Sequence, residues 1–529
     1  MPKLRRLSEV VLCLALLAAP LSAFETLTLS PDAAGGIFKP DLQASFPDVD
    51  WQTLDRLYLP AGHFKYLRLG NLPTRSADNP LIITNLGGQV RVGGLGHYYV
   101  MAIAGGSHWK LTGRYDRDAA TGDQGFPGHA AGYANSRSTY GILIDDTGGR
   151  EGNSCLAIGG GATDFEVEFV EARGCGFAGM TIKTDNQGEA TMANVRLHDN
   201  YIHDVGSEGF YIGSTQSEPQ HTYTDLKIYN NRVMRTGTEM LQLGQLGDGS
   251  EIYNNVFMQG ALDWKNPFQN FQDNASQYGG RYGTISVHHN IFIGGAQSLL
   301  IFFGQDRTGD VHGASDTQSI EHNYFSHGRN VGIYAGRSGD GVSTYRFAHN
   351  HFRALDFQYD EVNPNTDHNA VLRLFPEHNP VEVVGNRWDG SQRFALIGSE
   401  VDVASESDNL NVEIPPVVFV DSGFPFDFDY LRLEIWTDVD SNDAPVLYEQ
   451  GDYVTHLGKL YLALAANSGE LPPDSPGAWQ ERPYPADDVR LTVGSPFQGY
   501  GLLDNPGNKA FFADNFESGD THRWSSTQP

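Results

Sequence analysis

Seven asparagines recur along the middle of the chain, each followed two positions on by an apolar or aromatic residue. The phrases are Asn200-Tyr-Ile, Asn231-Arg-Val, Asn255-Val-Phe, Asn290-Ile-Phe, Asn323-Tyr-Phe, Asn350-His-Phe and Asn386-Arg-Trp, with successive gaps of 31, 24, 35, 33, 27 and 36 residues. A loose period of about 30 marks supersecondary units that cannot bury their own apolar face and stack on one another. Each unit reads as short strands broken by Gly, Asp and Ser turns, with no 3.6-residue apolar period. Repeating β units without helices fit the coils of a right-handed parallel β-helix. Leucine-rich repeats and propeller blades keep tighter periods. The asparagines are expected to be structural, forming ladders that satisfy backbone groups at turns.

Aligning one strand per coil exposes a second repeat. Glu208-Gly-Phe-Tyr-Ile-Gly matches Glu239-Met-Leu-Gln-Leu-Gly, 31 residues on, and Ser298-Leu-Leu-Ile-Phe-Phe-Gly shares its ending with Asn330-Val-Gly-Ile-Tyr-Ala-Gly. Alternate strand residues face opposite sides. Phe210, Ile212, Leu241, Leu243, Ile301, Phe303, Ile333 and Ala335 are therefore expected inside. Tyr211, Gln242, Phe302, Tyr334 and Arg373 then form an outer column, one per coil, at the strand spacing of about 4.8 Å. Such a column suits a long sugar chain. Tyr211, Phe302, Tyr334 and Trp264 would stack on sugars, while Gln242, Lys183, Arg307 and Arg373 would hold hydroxyl or acidic groups. An ordinary exposed sheet face is the alternative.

The first 23 residues have the form of a secretory signal: Lys3, Arg5 and Arg6, an apolar run from Val10 to Ala19 too short to span a bilayer, then Leu21-Ser22-Ala23. Export is expected, with a Gram-negative source. Cys155 and Cys175 then remain, either bridged or as two buried thiols. The net charge of −29 disfavours nucleic acid and anionic membranes. The expected organisation is a β-helix over residues 24–400, a cap or linker over 401–435, an inserted module over 436–484, a closing coil over 485–506 and a tail over 507–529. The chain is expected to act as a monomer on a polysaccharide.

Within the insert, Tyr448-Glu-Gln-Gly-Asp-Tyr-Val-Thr-His-Leu-Gly-Lys-Leu-Tyr461-Leu-Ala, with Trp436, Pro472 and Trp479, resembles the chitin-binding-type carbohydrate-binding modules of families 5 and 12. That family often carries a pair of exposed aromatics where this chain has Ala465 and Ala466. The run from Val489 to Asp504 resembles the last coil of many secreted β-helix proteins. The coils as a whole resemble the pectate-lyase-like β-helix enzymes and, through Glu208-Gly-Phe-Tyr-Ile-Gly, the family 174-type fucanases. The resemblance implies action on a sulfated or uronic-acid polysaccharide, as hydrolase or lyase.

The segment from Asn200 to Gly213 places His203, Asp204, Glu208 and Tyr211 in one coil, and the next coil repeats the acid as Glu239. Carboxyl groups about 5–5.5 Å apart suit a retaining glycosidase, and about 6.5–9.5 Å an inverting one. Glu208, Glu239, Asp204 and His203 are the catalytic candidates for hydrolysis. Turn residues bonding free amides are the structural alternative. A lyase would use a Lys, Arg, His or Tyr base with a cation facing the uronate. No cofactor is expected for hydrolysis, with Ca²⁺ the open alternative for elimination. A non-catalytic sugar-binding surface protein is the rival outside enzymes.

Overall fold

The computed structural model describes residues 25–505 except 95, 117–120, 123–139, 149–151, 185–189, 214–220, 268–271, 305–312, 314, 337–341, 357–369, 391, 421–427 and 486. The leader, the tail and Arg307 lie outside the described residues.

The chain winds into a right-handed parallel β-helix whose strands stack in three columns. The first column includes Arg196–His198, Lys227–Tyr229, Glu251–Tyr253 and Ile285–His288. The second includes Tyr201–Val205, Arg232–Thr236, Val256–Met258 and Ile291–Gly295. The third includes Met180–Ile182, Phe210–Ile212, Leu241–Leu246 and Ser276–Gly280. Every pairing in these columns is parallel. The helix continues past residue 400, because Asp402–Ser407 and Leu410–Asn411 add strands to the first and second columns.

Inside, like residues stack on like. Phe257, Phe292, Phe325 and Phe352 form a column of rings 4.9–5.1 Å apart. The expected asparagine ladder runs at the corner between the first two columns. Each Nδ2 donates to the Oδ1 of the next coil's asparagine at 2.9–3.2 Å, from Asn200 to Asn386, and an eighth rung follows at Asn409. The residue before each rung turns the corner in the left-handed region: Asp199, Asn230, Asn254, His289, His322 and His349 have φ of 52–55°. Asp, Asn and His tolerate that region better than other side-chain-bearing residues.

Three successive corner residues are histidines, and their rings stack 5.3 and 4.8 Å apart. Burial, then the neighbouring His288 and His322, push His289 down to about 3. Burial and His349 also lower His322, against the opposing pull of Glu321. His289 and His322 are therefore held toward the neutral form when folded, whereas an unfolded histidine titrates near 6.5. Below about pH 6.5 the unfolded chain binds more protons, so stability falls as pH drops from there toward 3. His289→Asn keeps the left-handed preference seen at Asn230 and Asn254 and removes one such group. Its melting temperature should fall less between pH 7 and pH 4 than that of the parent. An equal fall in thermal scans would show that the stack does not titrate this way.

Residues 485–505 do not form a closing coil. Among the described residues no strand there joins the columns; Leu491 makes an antiparallel bridge to Phe419 instead. The segment is a strap across the outer face of the second column, where Val489, Leu491, Phe497 and Leu502 pack on Tyr201, Met234, Val256, Ile291 and Tyr324. These outward residues are apolar or aromatic, and they need cover as the inward ones do. Asp487 anchors the strap, accepting from Arg235 and from the Tyr201 hydroxyl at 2.6 Å.

The insert has its own sheet of Glu434–Ile435, Tyr453–His456, Lys459–Ala463 and Trp479–Arg482. Its core holds Val446, Tyr448, Val454, Tyr461 and Trp479. Ala465 and Ala466 are exposed. Cys155 and Cys175 form a disulfide.

Candidate active site on the third column

Strand register brings one outward residue per coil into line: Thr181, Tyr211, Gln242, Gln277, Ile301, Tyr334 and Arg373. Tyr211 and Gln242 are direct neighbours, as the sequence repeat implies. Phe302 is not in the column. It points inward against Tyr278 and Tyr345, at ring separations of 4.8 Å, and Ile301 takes the outward place. The run Leu299-Leu-Ile-Phe-Phe303 is apolar at every position, so alternation could not phase it. Gln277 was missed because Ser276-Gln-Tyr-Gly-Gly280 lacks the aliphatic pattern of its neighbours.

Each end of the column carries a cation over a ring. The Lys183 ammonium lies 4.9 Å from the Tyr211 ring centroid, and the Arg373 guanidinium 4.9 Å from that of Tyr334.

Glu208 and Glu239 stand at the head of adjacent strands, joined by the bond from the Gly209 amide to the Glu239 carbonyl at 2.9 Å. Two contacts settle which way they face. A Cβ at Gly209 would meet the core Val233 Cγ1 at 2.4 Å, so Gly209 faces the interior, and Glu208 feels the charge of Lys183, whose ammonium lies over the outward Tyr211. Gln277, an outward residue, donates to Glu239 Oε1. Both acids therefore lie on the face of Tyr211 and Gln242. Each is buried, 2% and 0% exposed, and each keeps one oxygen without a hydrogen-bond partner among the described residues. The Tyr211 hydroxyl and Asp263 Oδ1 share that condition. Buried polar atoms left unpaired are rare enough in folded proteins that a cluster of four needs a reason.

Asp263 is the acid that sequence reasoning missed. It sits in the connection between Val256–Met258 and Ser276–Gly280, within the long 35-residue gap after Asn255. That extra length was the available signal. Burial raises Asp263 well above the usual carboxylate range, with Asp273 and Glu208 adding to it. Burial raises Glu239 well above its ordinary value, followed by the charge of Glu208. Glu208 is also raised by burial, but its own backbone amide, the Ser207 side chain and then Lys183 draw it back. Both glutamates are thus raised by burial, and their surroundings differ: the charge of Glu208 adds at Glu239, whereas Lys183 opposes at Glu208.

His203 and Asp204 belong to a different network. They lie in the second column, where the His203 ring bonds Asp204 at 2.6 Å and Glu171 at 3.3 Å. Asp204 pairs with Arg235, which pairs with Asp487 of the strap. Arg235 holds the Asp204 carboxyl far below its ordinary range once the opposing effect of burial is overcome. A carboxylate so paired, beside a histidine so bonded, is a structural clasp for the strap. The coil bends between residues 205 and 210, and that bend sends the two halves of the Asn200–Gly213 segment to different faces.

Trp264 offers no face to a sugar. It is buried, its indole N–H donates to Glu434 Oε2 at 3.0 Å, and Arg329 lies 4.9 Å from its ring. Among the described residues, one group of close metal-ligand types exists, Glu166, Glu168 and His198. The Lys110 ammonium already stands 2.7 and 2.8 Å from its two carboxylates, so the position of a cation is taken.

No family model matches the chain, and no curated protein matches it. Several solved structures are similar to it. An alginate lyase from Paenibacillus sp. str. FPU-7 has 12% identity and a TM-score of 0.38, covering 72% of this chain and 99% of its own. A GH136 lacto-N-biosidase from Eubacterium ramulus has 9% identity and a TM-score of 0.40, covering 73% and 68%. The tailspike of E. coli bacteriophage HK620, solved with a pentasaccharide, has 11% identity and a TM-score of 0.42, covering 74% and 67%.

Proposed function

We propose that the protein is a secreted glycoside hydrolase that cuts an anionic polysaccharide lying along the third column. The observation that supports this reading is the pair of glutamates one coil apart, on the outer face, in different electrostatic surroundings. Pairs of carboxyls whose environments push them apart divide into an acid and a base or nucleophile. Glu239 keeps its proton and is the acid. Glu208, beside the Lys183 ammonium, ionises first and is the nucleophile. One coil spacing of about 4.8 Å lies near the separation of retaining enzymes.

In that mechanism Glu208 attacks the anomeric carbon while Glu239 protonates the departing glycosidic oxygen. Water then enters, Glu239 takes its proton, and the bond from Glu208 to the sugar breaks. Tyr211 and Tyr334 offer ring contacts, Gln242 and Gln277 hydrogen bonds, and Lys183 and Arg373 charge for sulfate or carboxylate groups. The leader assigned to residues 1–23 would export it. Among the described residues no helix is long and apolar enough to cross a membrane.

One observation favours a second reading, β-elimination. The Tyr211 hydroxyl is buried without a partner under the Lys183 ammonium, a pairing suited to drawing a proton from a uronate. Incubation with a panel of sulfated and uronic polysaccharides separates the two. Hydrolysis is expected to release reducing ends with no ultraviolet absorbance from an unsaturated uronate. Absorbance growing with the reducing ends would assign the lyase reaction instead. Binding without any new ends would remove both.

A further inference from the structure

We propose that the inserted module works as a latch on the active site, with Glu434 as the positioning residue that holds the Asp263 loop beside the paired glutamates. This rests on the reading of Glu208 and Glu239 as the reacting groups.

The loop after Met258 is fixed along two edges. On the inner edge the amides of Ala261, Leu262 and Asp263 donate to the carbonyls of Thr238, Thr236 and Gly237, at 2.7, 3.1 and 3.0 Å. The loop therefore lies along the stretch that leads into Glu239. On the outer edge it is held by the module. The Ile435 amide donates to the Leu262 carbonyl at 2.7 Å, and the Ser441 amide to the Lys265 carbonyl at 2.8 Å. Between these two bonds sits Glu434, 4% exposed. Its carboxylate receives the Trp264 indole N–H at 3.0 Å and the Lys265 ammonium at 2.6 Å, with the Arg329 guanidinium at 3.6 Å. The Lys265 ammonium also lies 4.8 Å from the ring of Tyr448, a core residue of the module.

Asp263 is thus flanked by three backbone bonds on one side and Trp264 and Lys265 on the other. Removing the Glu434 charge leaves two half-buried cations and an indole N–H facing an uncharged amide. The outer edge then loosens while the inner edge stays bonded. The module keeps this role although its sugar-facing positions are Ala465 and Ala466. A core that docks on the helix survives the loss of stacking rings, because the docking residues, Glu434 and Tyr448, are separate from them.

The charges that raise Asp263 are Asp273 and Glu208, Asp263 in turn raises Glu239, and Lys183 opposes at Glu208. Burial is the leading cause at Asp263 and at both glutamates. A loosened loop admits water and lowers the affinity of Asp263 and Glu239 for protons.

The test follows the infrared carbonyl band of protonated carboxylic acids in the full-length protein through a pH titration. Asp263→Asn identifies the contribution of Asp263. Glu434→Gln is expected to move the midpoint down by at least about one pH unit, with the melting transition of the helix preserved. Trp264→Phe, which removes one donor and keeps the ring, should move it the same way by less. On a polysaccharide that the parent cleaves, Glu434→Gln should lower kcat by about 10- to 100-fold with KM unchanged, and bring the alkaline limb of the pH profile down with the infrared midpoint. Parental midpoints in both variants would overturn the latch. If the parent cleaves no polysaccharide, the hydrolase reading falls, while the infrared midpoint still decides whether Glu434 positions the loop.

Discussion

Glu208→Gln and Glu239→Gln should each lower turnover by about 10²–10⁴-fold or more while leaving polysaccharide binding intact, since each removes one proton-transfer or nucleophilic partner and keeps the shape. The two variants should differ in one informative way. An acid is needed only where the leaving oxygen must be protonated. On an aryl glycoside of the same sugar, whose phenolate leaves unaided, Glu239→Gln should therefore regain the first step, seen as a burst of phenolate, while hydrolysis of the glycosyl-enzyme stays slow for want of the base. Glu208→Gln should stay inactive on both substrates. The electrostatics set the order: Lys183 opposes the burial of Glu208, whereas the Glu208 charge adds to the burial of Glu239. Full activity in Glu208→Gln, measured as reducing-end release, would take that residue out of the mechanism. The reverse pattern on aryl substrates would exchange the two roles.

The largest effect on stability is expected at the centre of the asparagine ladder. The Asn290 Nδ2 donates to the carbonyls of Ile252 and His288 and to Asn323 Oδ1, at 2.9, 3.0 and 3.0 Å. Its Oδ1 accepts from the amide and side chain of Asn255, at 3.0 and 2.9 Å. The site is fully buried. Asn290→Ala removes all five bonds and takes from the buried Asn255 backbone amide its acceptor, a loss of about 3–5 kcal/mol. Because each coil touches only its neighbours, the damage should divide the solenoid and turn one denaturant transition into two. Asn409→Ala, at the half-buried last rung, should cost only about 1 kcal/mol. Equal costs at the two positions would mean that the ladder is not a cooperative element.

The solenoid could be read from the chain because its strongest signal is local and repeated. Each ladder asparagine is recognisable by the apolar residue two positions on, and seven copies make the period visible without knowledge of contacts. The pairing of Tyr211 with Gln242 followed for the same reason, since Phe210-Tyr-Ile and Leu241-Gln-Leu alternate cleanly. Phasing failed at Phe302, where five apolar residues in a row satisfy either register. The register was decided there by Ile301 pairing with both Gln277 and Tyr334. The closing coil failed differently. Val489-Arg-Leu-Thr-Val has the alternation of a strand, but the second column's outer face needed an apolar cover, and the segment serves that instead.

The candidate site was legible in part. Glu208 and Glu239 are visible as a repeat, but their direction is not, because both precede their strands, where two successive residues, Gly209 with Phe210 and Met240 with Leu241, face the core and break the alternation. Nothing local distinguishes Asp204, which is held by an arginine one coil away, from Glu208, whose free oxygen faces the groove. Asp263 and Glu434 are 171 residues apart and meet around Trp264 and Lys265 only because the insert folds back onto the helix. The amino-acid order by itself determined the repeat, and hence the parallel stack, because a coil must present its apolar face to an identical neighbour. Which acids share a face, and which are neutralised, was decided by tertiary structure alone, because burial and charge at a carboxyl depend on the groups that fold around it.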